Sequence, residues 1–313
     1  MMPELPLADR ALLQLNQALL ADGYAFITPT PATHARVNTG TGDARSIRDV
    51  FGWSRPFQAG ILTPALFRLA EAAGVLEPCG AGWRSTVRFS SLGGHLYAHS
   101  AYPTSAADAV FFGPDTYRFA SAIAALPDRP VRRAVDIGCG AGPGAVMMAD
   151  QFGAAEIYAA DINERALRYT RVNAAAARVA VMALHSNLLA SMDGEFDLIV
   201  ANPPYLVDPA ERAYRHGGGP LGAGLSLAIL DAACDRLATG GTLLLYTGAA
   251  IVDGMDPFRA AAESRLVRTE LNWSYREIDP DVFGEEVAVG AYATADRIAA
   301  VVLTATKNGE NHA

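Results

Sequence analysis

From about residue 130 the chain alternates short apolar runs with longer segments of helical periodicity, and that alternation leaves few folds open. "VRRAVDIG", "EIYAAD", "VAVMALH", "FDLIVAN" and "TLLLYTG" read as strands, while "AVMMADQF", "NERALRYTRVNAAAA" and "SLAILDAACDRLA" read as helices, the last ended by Gly240 and Gly241. Strands apolar along their whole length are buried on both faces, and strand–helix–strand connections put helices on both sides of a parallel sheet. The expected fold is α/β, an open, doubly wound, mostly parallel sheet. Ligands of such sheets bind beyond the carboxyl ends of the strands. That singles out the loops at 138–144, 161–163, 185–188 and 202–206.

The first hundred residues follow a different pattern. "LADRALLQLNQALLADG" has helical spacing with Gly23 past its end. "TPALFRLAEAAGVL" offers Thr63 as N-cap and Pro64 at the first helical position. "WRSTVRFSSLGGHLYAHS" reads as two strands joined at Gly93 and Gly94. Residues 1–108 are therefore expected to form a small α+β domain, with a winged-helix shape among the possibilities, and residues 109–313 the larger α/β domain.

Half of the 313 residues are hydrophobic (51%), enough for a core without disulfides or metals. Cys79, Cys139 and Cys234 are widely spaced and fit no zinc or disulfide framework, which points to a reducing compartment, the cytoplasm. "MPELPLADRALLQL" has neither a basic start nor a long apolar run, so no secretory leader is expected, and no membrane span either. Residues 1–100 carry eight Arg against seven acids and the remainder 17 basic against 26 acidic residues. Such a balance argues against a protein that coats nucleic acid nonspecifically, though a local basic groove stays open. His95 and His99 sit in the hairpin, where their spacing suits structure rather than metal binding. Trp53 in "FGWSRPF" is expected to pack the N-terminal domain.

"VDIGCGAGPGA" runs strand, glycine turn, helix. Glycines at 138, 140 and 142 allow positive φ and close approach to a ligand. Asp161, ending the next strand, can accept from both hydroxyls of a ribose. Counted from Gly140, Gly142 and Ala145, the loop also satisfies a dinucleotide fingerprint. Asp136, just before the glycines, leans the other way: a carboxylate there repels a pyrophosphate and suits the ammonium of S-adenosylmethionine. Cys139 reads as small filler in that loop.

"IVANPPYLVD" ends a buried strand abruptly, since Pro203 and Pro204 cannot continue a sheet ladder. Given a methyl donor, the Asn202 side-chain oxygen and the Pro203 carbonyl can grip the hydrogens of a planar NH2, and Tyr205 can stack against it. Alignment then supplies most of the acceleration.

With these motifs in place, residues from about 110 to 305 resemble the class I S-adenosylmethionine-dependent methyltransferases, and "NPPY" resembles their amino-methylating group: release-factor glutamine N5-methyltransferases, adenine N6-methyltransferases and the methyltransferase small-domain proteins. The resemblance implies a seven-stranded Rossmann-like sheet with a reversed last strand, a place "RIAAVVLTATK" suits. It implies Asp136, Gly138, Cys139, Gly140 and Gly142 around the methionine part of the cofactor. Asp161 with Ile162 falls at the ribose, and Asn187 with Leu188 at the adenine. Asn202, Pro203, Pro204 and Tyr205 fall at the catalytic position, Asn202 also touching the cofactor. "VFFGPDTYRF" resembles the glutamine branch's proline segment, which puts Pro114 and Thr116 near the cofactor or leaves them capping a helix. "ERAYRHGGGPLGAGLSLAIL" departs from that branch by extra glycines and by lacking the acid before Gly-Leu. Its Arg212, Arg215 and His216 make a basic lid or a solvated loop. The insertion at 278–296 shapes the substrate mouth or decorates the surface.

The expected function is N-methylation of a planar nitrogen, protein glutamine N5-type, with residues 1–108 as the substrate recogniser. The alternatives are an adenine N6 or guanine N2 of RNA, or a small molecule. An NAD-dependent oxidoreductase is the reading outside methyl transfer. Neither a metal nor a membrane partner is expected.

Overall fold

The computed structural model describes residues 5–40, 42–287 and 290–309. The N-terminal helices begin where the sequence supplies caps. α1 (Leu7–Ala21) buries a stripe of Leu12, Leu15 and Leu19. α2 (Pro31–Asn38) and α3 (Ile47–Phe51) are capped by Thr30 and Ser46. In α4 (Pro64–Ala72) the Thr63 hydroxyl accepts from the Leu66 amide, with Pro64 at the first helical position. α4 leads into a hairpin of β1 (Leu76–Cys79) and β2 (Gly82–Ser85), and Phe57 bridges Trp83 on its other side. A second hairpin, β3 (Val87–Leu92) and β4 (His95–Ser100), turns at Gly93 and Gly94. The run 83–100 thus holds three strands rather than two. The Ser85 hydroxyl bonds both backbone groups of Val87 and breaks it between β2 and β3. His95 pairs with Asp150, and buried His99 bonds Ser90, so both histidines are structural. Trp53 packs edge-on to Phe26 at 5.1 Å.

α5 (Pro114–Ala124) precedes the α/β region. There follow β5 (Arg133–Ile137), α6 (Pro143–Gln151), β6 (Glu156–Asp161), α7 (Glu164–Ala177), β7 (Met182–His185) and β8 (Phe196–Ala201). α8 (Gly224–Arg236), β9 (Leu237–Ile251), α9 (Pro257–Leu266), β10 (Leu271–Asp279) and β11 (Arg297–Lys307) complete it. The seven strands lie in the order β10-β11-β9-β8-β5-β6-β7, with β11 antiparallel to both neighbours. α8 ends at Arg236, earlier than its glycines suggest. Gly240 and Gly241 lie inside β9, where a Cβ on Gly241 would meet the Phe196 carbonyl at 2.7 Å. Gly241 thus serves close strand approach and Gly240 a left-handed turn (φ +76), rather than helix termination.

Strand order reverses between β5 and β8, so their carboxyl ends lie side by side, with Ile137 opposite Ala201. This switch point brings the glycine loop next to Asn202. Among the described residues no helix is long and apolar enough to cross a membrane, and no cluster of three His, Cys, Asp or Glu residues could hold a metal.

Candidate functional site

A cavity of about 410 Å³ opens at the switch point, and all four loops singled out by the sequence line it. Asp136, Gly138, Cys139, Gly140, Asp161, Ile162, Asn187, Leu188, Thr116 and Asn202 through Tyr205 all stand on its wall. Gly142 does not. It is the left-handed residue before α6 (φ +83), and a Cβ there would press on Thr170 at 3.0 Å. Its glycine is required by packing beneath the loop. Pro114 is likewise not on the wall, and Thr116 both lines the cavity and caps α5 by accepting from the Gly113 amide.

Several donors of the glycine loop are spent internally. The Gly138 and Cys139 amides donate to the Ala160 carbonyl, at 2.8 and 3.1 Å. The Gly140 amide donates to Asp161 Oδ2 at 2.9 Å, and the Asn163 amide to Asp161 Oδ1 at 2.9 Å. At the start of α6 the Ala145 amide donates to Asp136 Oδ2 at 3.0 Å. A dinucleotide pyrophosphate needs free amides at this turn and helix start; here the protein's own carboxylates take those of Gly140 and Ala145. What remains at the surface is acceptor capacity on two carboxyls, an arrangement for a cation and for hydroxyls. Burial raises Asp136 to about 7, against the opposing Ala145 hydrogen bond, and raises Asp161 despite its amide donors. A bound cation relieves that penalty directly. Cys139 is buried against Thr170, and burial pushes its thiol up, which fits filler rather than nucleophile.

Asn202 follows β8 directly and is half-buried. Its carboxamide has no hydrogen-bond partner among the described residues, unlike the neighbouring carboxyls. Tyr205 is fixed on several sides. Its ring lies on Gly248, where a Cβ would come within 2.2 Å, its edge meets Phe283 with centroids 5.8 Å apart, and its hydroxyl donates to Asp115 Oδ2 at 2.8 Å.

The segment after Tyr205 folds over the cavity. Arg212, Tyr214 and Arg215 line it. The Tyr214 hydroxyl donates to the Thr104 carbonyl, Arg212 clasps Asp208, and Arg215 pairs with Glu286. Arg212 holds the Asp208 carboxyl far below the usual range. The extra glycines have a packing reason: a Cβ on Gly222 would sit 2.0 Å from the Tyr205 carbonyl, and one on Gly217 2.7 Å from the Pro204 carbonyl. The 278–296 insertion also reaches the site. Phe283 lines the cavity, and Tyr292 takes the Val207 amide at 3.0 Å. Pro31, Tyr102 and Thr104 bring the N-terminal region to the same wall. Sequence reasoning missed Asp115, Tyr246 and Tyr292; only the fold joins them to "NPPY".

The sheet order, the acidic glycine turn and the asparagine at the switch point define the class I methyltransferase architecture. Residues 119–250 match the family model of the methyltransferase small domain. The chain is 34% identical over 170 residues to the release factor glutamine methyltransferase of Deinococcus radiodurans, covering 51% of this chain and 57% of that one. It is 32% identical over 198 residues to that of Neisseria gonorrhoeae, covering 57% and 67%. With the tRNA1(Val) (adenine(37)-N6)-methyltransferase of Aeromonas hydrophila it shares 38% over 137 residues, 41% of this chain and 56% of that one. The chain thus spans little more than half the length of the first and last of these. Among solved structures, Methanocaldococcus jannaschii Trm5 in complex with adenosine superposes with a TM-score of 0.51 at 17% identity, covering 81% of this chain and 71% of that one, a likeness of fold. The chain belongs to the methyltransferase small-domain family of class I methyltransferases.

Proposed function

We propose that this chain is an S-adenosylmethionine-dependent N-methyltransferase acting on a planar amide or amino nitrogen of a macromolecule, of the protein glutamine N5 type. The observation that carries the reading is the unpaired Asn202 carboxamide on the same cavity wall as Asp136 and Asp161. Asp136 would face the methionine ammonium, Asp161 the ribose hydroxyls, and Asn187 with Leu188 the adenine. Ile162, which is 57% exposed, offers an apolar surface beside them. When bound, S-adenosylmethionine supplies an electrophilic methyl group. The chain's part is to hold and orient the acceptor. The Asn202 oxygen and the Pro203 carbonyl accept from the two N–H groups and turn the nitrogen lone pair toward the methyl carbon. The Tyr205 ring limits the tilt of the plane. Closure of the 208–222 segment excludes water.

Identity with release-factor methylating relatives over half the chain supports a protein acceptor. The adenine-methylating relative, together with Tyr102, Phe111 and Tyr214 on the wall, supports an RNA base as the second reading. We assign residues 1–108 to acceptor recognition and the whole chain to the cytoplasm. The test is transfer from methyl-labelled S-adenosylmethionine into protein and RNA fractions of a source lysate, with Asn202→Ala as control. Label in protein, lost with the variant, is the expected result. Label in RNA moves the assignment to base methylation. Transfer undiminished in the variant overturns the site.

A further inference from the structure

Asp115 has no part in the chemistry above, yet it stands on the cavity wall, in the first turn of α5, with 6% of its surface exposed. Its Oδ2 accepts from the Tyr205 hydroxyl at 2.8 Å. Its Oδ1 accepts from the Tyr246 hydroxyl at 2.6 Å and from Arg118 Nη1 at 3.2 Å. Burying a carboxylate is costly unless donors replace water. Here the donors come from three places: the loop after β8, the middle of β9, and the next turn of α5. The capping of α5 does not need this side chain, because Thr116 bonds the Gly113 amide. Arg118 carries the connection outward to Asp279, at the end of β10, at 2.7 Å.

The consequence lies in the short path from Asp115 to Asn202. Ala201 is anchored by pairing with Ile137 and Leu245. Tyr205 is anchored at its hydroxyl. Between them stand Asn202 and two prolines, whose φ is fixed. Asn202 is therefore held from both sides, and the second anchor is Asp115.

We propose that Asp115 is a positioning residue for the Asn202 site: by gripping the Tyr205 hydroxyl it sets the direction of the Asn202 carboxamide and the Pro203 carbonyl. The inference rests on the methyl-transfer reading. It separates from the cofactor half of the cavity, because Asp136, Gly140 and Asp161 are held by other bonds.

The test compares Asp115→Asn, Tyr205→Phe and their double variant with the parent, and uses Tyr246→Phe as a second probe of the carboxylate. The asparagine is nearly isosteric but turns one acceptor into a donor; the phenylalanine removes only the hydroxyl. Three readouts are taken on the full chain: S-adenosylmethionine affinity by calorimetry, label transfer to the lysate fraction that accepts it, and fluorine NMR of the 3-fluorotyrosine-labelled protein, with the Tyr205 signal assigned by its loss in Tyr205→Phe. We expect affinity within about twofold of the parent and transfer slowed roughly ten- to a hundredfold in either single variant, the scale of a misplaced reacting group. The double variant should be no slower than the worse single one, and the Tyr205 signal should move in Asp115→Asn. Parental transfer rates in both single variants overturn the proposal, as do losses that multiply in the double variant. If Asp115→Asn does not fold, Tyr205→Phe decides by the same rates. If the parent transfers label to no fraction, the macromolecular-acceptor reading fails instead. The Tyr205 signal then judges the contact alone, and an unmoved signal in Asp115→Asn overturns it.

Discussion

Asp136 places a buried carboxyl where a cation is wanted, and its titration should be visible. With its pKa raised by burial to about 7, the folded chain holds a proton that the unfolded chain releases at ordinary carboxylate pH. Stability should therefore fall as pH rises from about 4 to 7. A bound ammonium favours the ionised form, so S-adenosylmethionine should bind more tightly as pH rises toward 7, by up to about tenfold per unit below the raised pKa. Asp161 is raised too and acts in the same direction. Calorimetry of Asp136→Asn isolates the first group: its affinity should be weaker and its pH slope shallower. An unchanged slope would remove Asp136 from the cation's reach. Gly248 makes a second test at this scale. A Cβ there overlaps the Tyr205 ring at 2.2 Å, so Gly248→Ala should cost about 1–3 kcal/mol in denaturant unfolding and slow transfer.

At the scale of elements, two side-chain contacts help close the segment from Asp208 to Gly222 over the cavity: Tyr214 on Thr104 and Arg215 on Glu286. Removing both contacts in a Tyr214→Phe, Arg215→Ala variant should raise amide exchange across 208–222 while β5, β8 and β9 keep their protection. S-adenosylmethionine should also leave faster. Unaltered exchange there would mean that the backbone bonds of Leu206 to Arg215 and Gly217, with the glycine packing on Tyr205, suffice to close the segment. This segment also shows where sequence is readable and where it is not. Strands buried on both faces, such as β5 and β8, are legible because burial leaves a continuous apolar run. β10 is not, since an edge strand half in solvent mixes Trp273 and Tyr275 with charged residues. The glycines at 217 and 222 are visible as glycines, but their partner, the backbone after Pro204, is supplied only by the folded chain. The loops that line the cavity could be placed in advance because each belongs to one strand end. The meeting of Asp115 and Tyr246 with Tyr205 could not, because it joins α5, a loop and β9.

At the scale of the whole molecule, the N-terminal region is tied to the glycine loop through one buried side chain. Asn173, on α7, donates through Nδ2 to the Ala98 carbonyl at 3.0 Å and to the Ala141 carbonyl at 2.8 Å, and accepts through Oδ1 from the Ala98 amide at 2.8 Å. A single amide thus holds β4 and the cofactor turn at once, while Arg168 on the same helix pairs with Asp9 of α1 at 2.5 Å. Asn173→Ala strands three buried backbone groups, and a loss of about 2–4 kcal/mol follows if they stay dry. Asn173→Asp should be worse: it retains the acceptor for Ala98 but turns a second oxygen toward two carbonyls. This order, parent above alanine above aspartate, should appear in thermal melting. Asn173 is not on the cavity wall, so weaker S-adenosylmethionine binding in the alanine variant would come through the Ala141 turn. Lower melting with unchanged affinity would show that Asn173 secures the N-terminal region without setting the loop.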